Sequence, residues 1–139
     1  MLKPRVYITT NASGSNVKKA LIKELEKNYY DVVDFHPSGD YVIDTITLAK
    51  EIKSDKKRKV GILICNTGNS MLNATKFVDG IKNKLVNKST SLSFGLGDAN
   101  MISMGVMELN EQEIIEVSIK YLKDFMLNLE QEELNNSMR

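Results

Sequence analysis

The distribution of hydrophobic and polar residues along this chain predicts strands that alternate with helices. β-Rich runs at residues 5–9 and 30–35 are each followed by a small polar loop. Beyond each loop, apolar residues recur three or four positions apart, which is the spacing of one helix face. Ser13 or Ser15 is the expected N-cap of the first helix, and Asn28 its expected end. The positions expected to face the core are Val17, Ala20, Leu21 and Leu25 in the first helix, and Ile46, Ala49 and Ile52 in the second.

An uninterrupted apolar run at residues 60–64 is the strongest strand signal in the chain. A short run without polar alternation is typical of a strand buried on both faces, as in a parallel sheet. Residues 101–105 predict a further strand and residues 80–86 a weaker one. Between these two strands, the residues at 87–94 are rich in serine and threonine and predict a short helix.

The last third of the chain contains the clearest helix pattern. Asn110 and Glu113 have the spacing of a capping box, so the helix is expected to begin there. The polar tail at residues 130–139 is expected to fray or to dock on a partner. The positions expected to face the core are Ile115, Ile119, Leu122, Met126 and Leu129.

Five strands alternating with helices predict an α/β fold with a parallel sheet. We therefore expect a single three-layer, Rossmann-like domain over residues 1–139, with helices on both faces of a five-stranded sheet. The strand connections should be right-handed crossovers.

Composition excludes several classes of function. The 139 residues include 19 basic and 18 acidic ones, and a net charge of +1 gives no argument for nucleic acid or an anionic membrane as partner. No apolar stretch is long enough to span a bilayer, and no signal-type segment is apparent, so the cytoplasm is the expected location. One cysteine cannot form an internal disulfide, which fits a reducing compartment. With only one histidine as well, no zinc or other metal site is expected.

The single cysteine, Cys65, stands at the end of the strongest strand, before a polar loop at residues 66–70 and a helix expected from Met71. In parallel α/β sheets, ligands bind outside the carboxyl ends of the strands. Loop amides and the start of a helix favour an anion there, and they favour the thiolate form of a cysteine. A lone cysteine after an apolar strand can equally be an inert core residue.

Several familiar cysteine and loop motifs are absent. No arginine follows Cys65 before Lys76, as a tyrosine phosphatase loop requires, and no C-x-x-C occurs. No G-x-G-x-x-G follows the first strand. His36 lies in a turn and is expected at the surface, away from Cys65. A cysteine that acts on a small anion with the help of amides remains.

Gly-Ile-Leu-Ile-Cys-Asn-Thr-Gly at residues 61–68 resembles the signature of the ribose-5-phosphate isomerase B / galactose-6-phosphate isomerase family. The stretches at residues 11–14, 30–34 and 98–105 agree with it, and the resemblance extends over about residues 5–127. Ala-Thr-Lys at residues 74–76 is closer to the A subunit of galactose-6-phosphate isomerase.

The resemblance implies an aldose–ketose isomerase of sugar phosphates that needs no cofactor. A proton moves between adjacent carbons through an enediolate, which requires one base and donors for the oxyanion. Cys65 matches the family's base and Thr67 a residue that assists it. The residues expected to bind substrate are Asn11, Asn66, Gly68, Asn69, Ser70, Asp98 and Asn100. For Asp98 and Asn100 the alternative is that they only cap a loop.

The chain also departs from the family's pattern. Asn11 and Ala12 stand where the family has Asp-His, and residues 95–97 stand where it has the histidine that opens the sugar ring. The family's C-terminal arginines have no clear match, and the loop after Cys65 is one residue short. Candidates for phosphate contacts are Lys76, Lys82, Lys84, Lys88 and the basic run at residues 56–59, which could also be solvated surface.

Three hypotheses follow from this resemblance. The chain could be a divergent isomerase that uses Cys65 and Thr67 in pentose phosphate metabolism. It could be the less catalytic subunit of a hetero-oligomeric galactose-6-phosphate isomerase, in lactose and galactose catabolism. It could also be a non-enzymatic protein that binds sugar phosphates. A homodimer, a tetramer or a hetero-oligomer with a sister subunit is expected, because the family's sites lie between subunits.

Overall fold

The computed structural model describes residues 2–88 and 95–138, and its centre is a sheet of five parallel strands. The strands are β1 (Arg5–Thr10), β2 (Val32–Asp34), β3 (Lys59–Cys65), β4 (Asn83–Leu85) and β5 (Met101–Gly105). The helices are α1 (Ser15–Lys27), α2 (Tyr41–Lys53), α3 (Asn69–Ala74) and α4 (Glu111–Ser137), with 3-10 turns at Ala12–Gly14 and Thr75–Phe77. The predicted α/β fold class is confirmed. The short helix predicted at 87–94 falls mostly on residues outside the described ones.

The strand order is β2-β1-β3-β5-β4, which places β3 in the middle of the sheet. β3 pairs with β1 on one side and with β5 on the other, both in parallel. Val60 to Cys65 are all buried, as an apolar run without polar alternation predicts. The strand that carries the only cysteine is therefore held by neighbours on both sides.

The helices cover both faces of the sheet. α1 and α4 pack on one face, against Ile8, Ile62 and Met104, while α2 and α3 pack on the other, against Tyr7 and Leu63. Side chains alternate along β3, so Ile64 faces α1 and α4 and Cys65 faces α2 and α3. The described part of the chain contains no helix with both the length and the apolar character that a membrane crossing needs.

The core-facing positions of the helices differ in part from the predicted ones. Leu21, Leu25, Ala49 and Ile52 are buried as expected, and so are Leu122 and Met126. Ala20 and Ile46 are only half-buried, and so are Val17, Ile115, Ile119 and Leu129. The apolar face of α4 is so wide that either of two neighbouring stripes of side chains could face the core. The structure buries the stripe that contains Tyr121, whose hydroxyl donates to the carbonyl of Ala99 at 2.7 Å.

Helix boundaries show where local rules held. Asn110 and Glu113 form the predicted capping box, and Asn28 ends α1. Neither Ser13 nor Ser15 caps α1, so that prediction is wrong. Asn11 instead caps the 3-10 turn that precedes α1 by accepting the amide of Gly14.

The start of α3 and the end of α4 also differ from what the sequence predicts. α3 begins at Asn69 and not at Met71, because the loop after Cys65 is tighter than the residue pattern suggests. The tail continues α4 as helix to Ser137, and its expected fraying stays a prediction. Residues 130–138 are exposed, and docking of this segment on a partner stays a prediction.

Tyr29 offers a test of backbone strain. It follows the end of α1 with a φ of 64°, a conformation that costs a residue with a Cβ about 1–2 kcal/mol. Its side chain is 88% exposed, so little packing offsets this cost. We expect Tyr29→Gly to be ~1 kcal/mol more stable to urea than Tyr29→Ala, which loses the same ring but keeps the Cβ. Equal stability of the two variants would show that the αL conformation carries no penalty.

Candidate active site

The carboxyl ends of β1 and β3 lie side by side at the point where the strand order reverses. This is where open α/β sheets form a crevice for ligands. The amide of Asn11, directly after β1, donates to the carbonyl of Ile64 in β3 at 3.3 Å. Gly14 permits this close approach, because a Cβ there would lie 2.9 Å from Cγ2 of Ile64. The structure thus brings Asn11 to the same edge as Cys65 and its loop.

The thiol of Cys65 is surrounded by hydrogen-bond donors. Its Sγ accepts the amide N–H of Gly68 at 3.0 Å and the hydroxyl of Ser70 at 3.6 Å. Donors that point at one sulfur stabilise a negative charge on it. The side chain is only 1% exposed, because it packs against Met71 and Leu48 on the α2 and α3 face.

The loop after Cys65 is clamped by the end of β5. The carbonyls of Cys65 and Asn66 accept the amides of Val106 and Met107, both at 2.9 Å. Gly105 makes this possible, since a Cβ there would lie 2.4 Å from the carbonyl oxygen of Asn66. The loop therefore has one defined path over the end of the sheet.

Gly68 is the turning point of this loop, with a φ of +87°. A Cβ at Gly68 would lie 2.7 Å from Cδ1 of Leu85 and 3.3 Å from the backbone of Met104. Glycine is thus required both by the conformation and by the space. This turn is what directs the amide of Gly68 at the sulfur of Cys65.

The remaining loop residues present polar groups to the crevice. Oγ1 of Thr67 accepts both the amide and the side-chain Nδ2 of Asn69, each at 3.3 Å. Its own hydroxyl proton stays available as a donor. Asn66, Asn69 and Ser70 are exposed. Amides in the first turn of a helix have no intrahelical acceptor, which applies to Ser70 in α3.

Asp98 and Asn100 lie at the opposite, amino edge of the sheet. They precede β5, whose other end pairs with Cys65 through Gly105. Oδ1 of Asn100 accepts the amide of Lys82 at 2.7 Å, which joins the starts of β4 and β5. Within one chain these two residues are therefore not brought together with Cys65. Their contacts are those of loop capping, the alternative that the residue pattern had left open.

Asp98 is bound by two lysines. Lys82 and Lys84 donate to its two oxygens, the latter at 2.6 Å, and these hydrogen bonds lower the pKa of Asp98 to about 2. A cavity of about 510 Å³ opens beside it, lined among others by Gly97 and Asp124. This volume lies far from the thiol, so it does not mark the site of the predicted chemistry.

Most of the lysines expected to contact phosphate do not lie at the carboxyl edge of the sheet, where Cys65 is. Lys82 and Lys84 are engaged by Asp98, and Lys59 donates to Glu51 at 2.8 Å. Lys76 is exposed, as is Lys88, which follows β4. His36 is exposed as predicted, with Nδ1 3.3 Å from Oδ1 of Asp34.

One cation near the carboxyl edge was not anticipated. Nζ of Lys18, in the first turns of α1, lies 3.1 Å from Oδ1 of Asp34 at the end of β2. The feature of the sequence that could have pointed to Lys18 is its position early in the helix that follows the loop after β1. The roles of Gly14 and Gly105 were missed too, although Gly105 stands at the end of a predicted strand, where a glycine commonly marks a close backbone approach.

A parallel sheet with a thiol and the amide of Ser70 at its switch point places the chain in the class of open α/β proteins with a ligand crevice at the carboxyl edge. A family model described as Ribose/Galactose Isomerase matches residues 6–136. The chain belongs to this family, and with it to the isomerases that are intramolecular oxidoreductases.

Individual relatives agree with the family match. The probable ribose-5-phosphate isomerase B of Mycoplasma genitalium is 26% identical over 125 residues, which span 85% of this chain and 82% of the relative. The corresponding protein of Mycoplasma pneumoniae is 28% identical over the same shares of the two chains.

Solved structures share the fold. Ribose-5-phosphate isomerase B from Mycoplasma genitalium with bound ribulose-5-phosphate superposes with a TM-score of 0.75 at 25% identity, over 88% of this chain and 86% of that one. The isomerase B of Clostridium thermocellum superposes with a TM-score of 0.71 at 23% identity, over 97% and 99% of the two chains.

The environment of Asp98 predicts a dependence of stability on pH. Its pKa is about 2 in the fold against an ordinary value of 3.8, so its stabilising contribution is present above about pH 4 and is lost as the pH falls through 2. We expect Asp98→Asn to be less stable than the parent at pH 5, with a gap that narrows towards pH 2. Urea unfolding across this range measures it.

The control for this experiment is Asp79→Asn, which neutralises an exposed carboxylate with no partner among the described residues. It should show no such gap. A difference between Asp98→Asn and the parent that is the same at pH 5 and pH 2 would contradict the role given to the two lysines.

Proposed function

We propose that this chain is an aldose–ketose isomerase of sugar phosphates, with ribose 5-phosphate and ribulose 5-phosphate as its substrates. The observation that carries the proposal is the thiol of Cys65, held by two donors beside Asn11 at the switch point. The names of the relatives and the ribulose-5-phosphate in one related structure support the choice of a pentose. A free thiol in this role suits the reducing cytoplasm.

In this proposal Cys65 is the base. Its thiolate takes the proton from the carbon next to the carbonyl and returns it to the former carbonyl carbon, so the reaction involves no net oxidation. In the same isomerisation, the hydroxyl proton of the substrate moves from one of the two adjacent oxygens to the other. The amides of Gly68 and Asn69 are already engaged by Sγ and by Thr67, which leaves the amide of Ser70 for the oxyanion.

Thr67 has a matching part in this scheme. Because its Oγ1 accepts from Asn69, its hydroxyl proton points away from that residue and can be donated to a substrate oxygen. Asn11 uses Oδ1 on the amide of Gly14, so its Nδ2 is the group left for a sugar hydroxyl. The exposed side chains of Asn66 and Asn69 complete the set of substrate contacts that we propose.

The substrate form follows from what the crevice lacks. Gly97, in the stretch where the family has its ring-opening histidine, packs against the backbone of Asp124 at the other edge of the sheet. Among the described residues at the crevice, none replaces that acid. Ribulose 5-phosphate is acyclic, because its terminal hydroxyl carries the phosphate. We therefore expect faster turnover from the ketose than from the cyclic aldose.

A second chain is part of the proposal. Asp98 and Asn100 can contact a substrate held at Cys65 only if they come from another subunit, since their own chain places them at the other edge. A homodimer or larger assembly would supply them, together with phosphate contacts.

The burial of Cys65 favours a second candidate function. A base must touch its substrate, and a thiol that is 1% exposed can do so only after the loop or its side chain moves. Buried cysteines are commonly inert. The alternative is a weakly catalytic or non-catalytic subunit of a hetero-oligomeric galactose-6-phosphate isomerase, or a protein that only binds sugar phosphates.

Turnover by the purified chain separates these functions. With ribulose 5-phosphate we expect activity that Cys65→Ala lowers by at least about 100-fold, since general base catalysis contributes about that much. Galactose 6-phosphate and ribose 5-phosphate are assayed alongside it. Thr47→Ala, an exposed change on α2, is the control and should keep full activity.

Other outcomes decide against the proposal. Equal rates for the parent and Cys65→Ala would remove Cys65 as the base. Activity on galactose 6-phosphate that appears only after a sister subunit is added would establish the alternative. Binding of either sugar without turnover would identify a non-enzymatic binding protein.

A further inference from the structure

A charged cavity lies at the amino edge of the sheet, at the opposite ends of β1 and β3 from the thiol. Its volume is about 300 Å³. It includes two residues of the basic run at 56–59, for which the sequence left open a role in holding phosphate. The cavity is lined by Lys3, Arg5, Asp31, Asp55, Arg58 and Lys59.

The backbone holds cations close together in the lining of this cavity, which we call its wall. The amide of Arg5 donates to the carbonyl of Arg58 at 2.7 Å, and Arg5 is the register partner of Lys59. Like charges opposite each other on neighbouring strands are destabilising. The guanidinium of Arg58 has no hydrogen bond or ion pair with any residue in the described ranges. Such a local cost is typical of a position selected for binding.

The carboxylates of the wall do not balance its cations. Asp31 accepts Nε of Arg5 at 2.7 Å, and the hydroxyl of Tyr7 also engages the Arg5 guanidinium. Lys59 is paired with Glu51, outside the wall, and has Asp55 nearby. Asp55, the second carboxylate of the wall, therefore interacts with Lys59.

Two cations of the wall therefore have no carboxylate partner. Nζ of Lys3 donates to the carbonyl of Asn28 at 2.5 Å and lies 4.6 Å from the ring centroid of Tyr30, both of which are neutral partners. Arg58 is the other. The lining has four cations against two carboxylates, and although Glu51 outside it neutralises Lys59, the cavity keeps a positive charge that favours an anion.

We propose that this amino-edge cavity binds a phosphate group, as inorganic phosphate or as the phosphate end of a small metabolite, separately from the isomerase site. Guanidinium groups match phosphate oxygens with paired hydrogen bonds. Asp31 orients Arg5 for this through Nε, and Arg58 lines the same cavity from the turn before β3. The volume is at the small end of ligand sites, which suits a phosphate with few additional atoms.

The test uses the full-length chain labelled with ¹⁵N, titrated with inorganic phosphate or with ribose 5-phosphate at constant ionic strength in chloride. Backbone amide signals report the two edges separately. We expect saturable shifts at Arg5, Arg58 and Lys59 with both ligands. Similar affinities identify the phosphate group as the whole ligand, and tighter binding of the sugar identifies a metabolite; either supports the site.

Two variants with the same change of charge provide the matched comparison. Arg58→Gln should weaken the amino-edge shifts by roughly tenfold or more, because it removes the unpaired guanidinium. Lys57→Gln, one residue away and outside the lining of this cavity, should keep the affinity within about twofold, as expected for a solvated cation.

Three results would overturn the site. The amino-edge amides could fail to shift, the shifts could grow without saturation, or both variants could weaken binding equally. Shifts confined to Gly68 and Ser70 would also reject it, while supporting a sugar phosphate at the isomerase edge. The test thus distinguishes failure of this site from failure of the proposed function.

Discussion

The hydrogen bonds from Val106 and Met107 to the carbonyls of Cys65 and Asn66 are the constraint on which the rest of the site depends. They join the loop after β3 to the end of β5, and they need the absence of a side chain at Gly105. With the loop held there, Gly68 turns its amide onto the sulfur of Cys65 and α3 begins directly afterwards. The site is thus built from backbone geometry, with few side chains in contact with one another.

The same constraint has a consequence for access. A loop clamped at this point packs Cys65 against the core, so the sulfur is almost completely covered. The proposed chemistry and the observed burial agree only if substrate binding moves the loop or the thiol. Gly68, whose φ is positive, is the residue that joins the clamped part of the loop to α3. The two edges of the sheet also have different tasks, since the thiol and the unpaired arginine lie at opposite ends of β3.

Much of this architecture follows from local rules in the sequence. The central strand was predictable because an apolar run without alternation has few other solutions, and the capping box at Asn110 because its geometry is local. The edge on which Asp98 and Asn100 lie follows in the same way, since residues directly before a strand of a parallel sheet lie at its amino edge, and only the resemblance had assigned these two residues to the substrate. The centring of α4, in contrast, depended on a distant contact, that of Tyr121 with Ala99. The resemblance on residues 61–68 identified the family, but the spatial relation between the loops required the structure.

The most direct measurement of the proton transfer assigned to Cys65 is deuterium incorporation. Ribulose 5-phosphate is incubated with the purified chain in D₂O, and the carbon-bound hydrogens of the sugar are followed by NMR. If the thiolate of Cys65 removes and returns a proton through an enediolate, deuterium enters the sugar at the reacting carbons, and the Cys65→Ser variant shows none above the uncatalysed background. Incorporation at the same rate in that variant would contradict the account, and so would a parent chain that shows neither incorporation nor isomerisation.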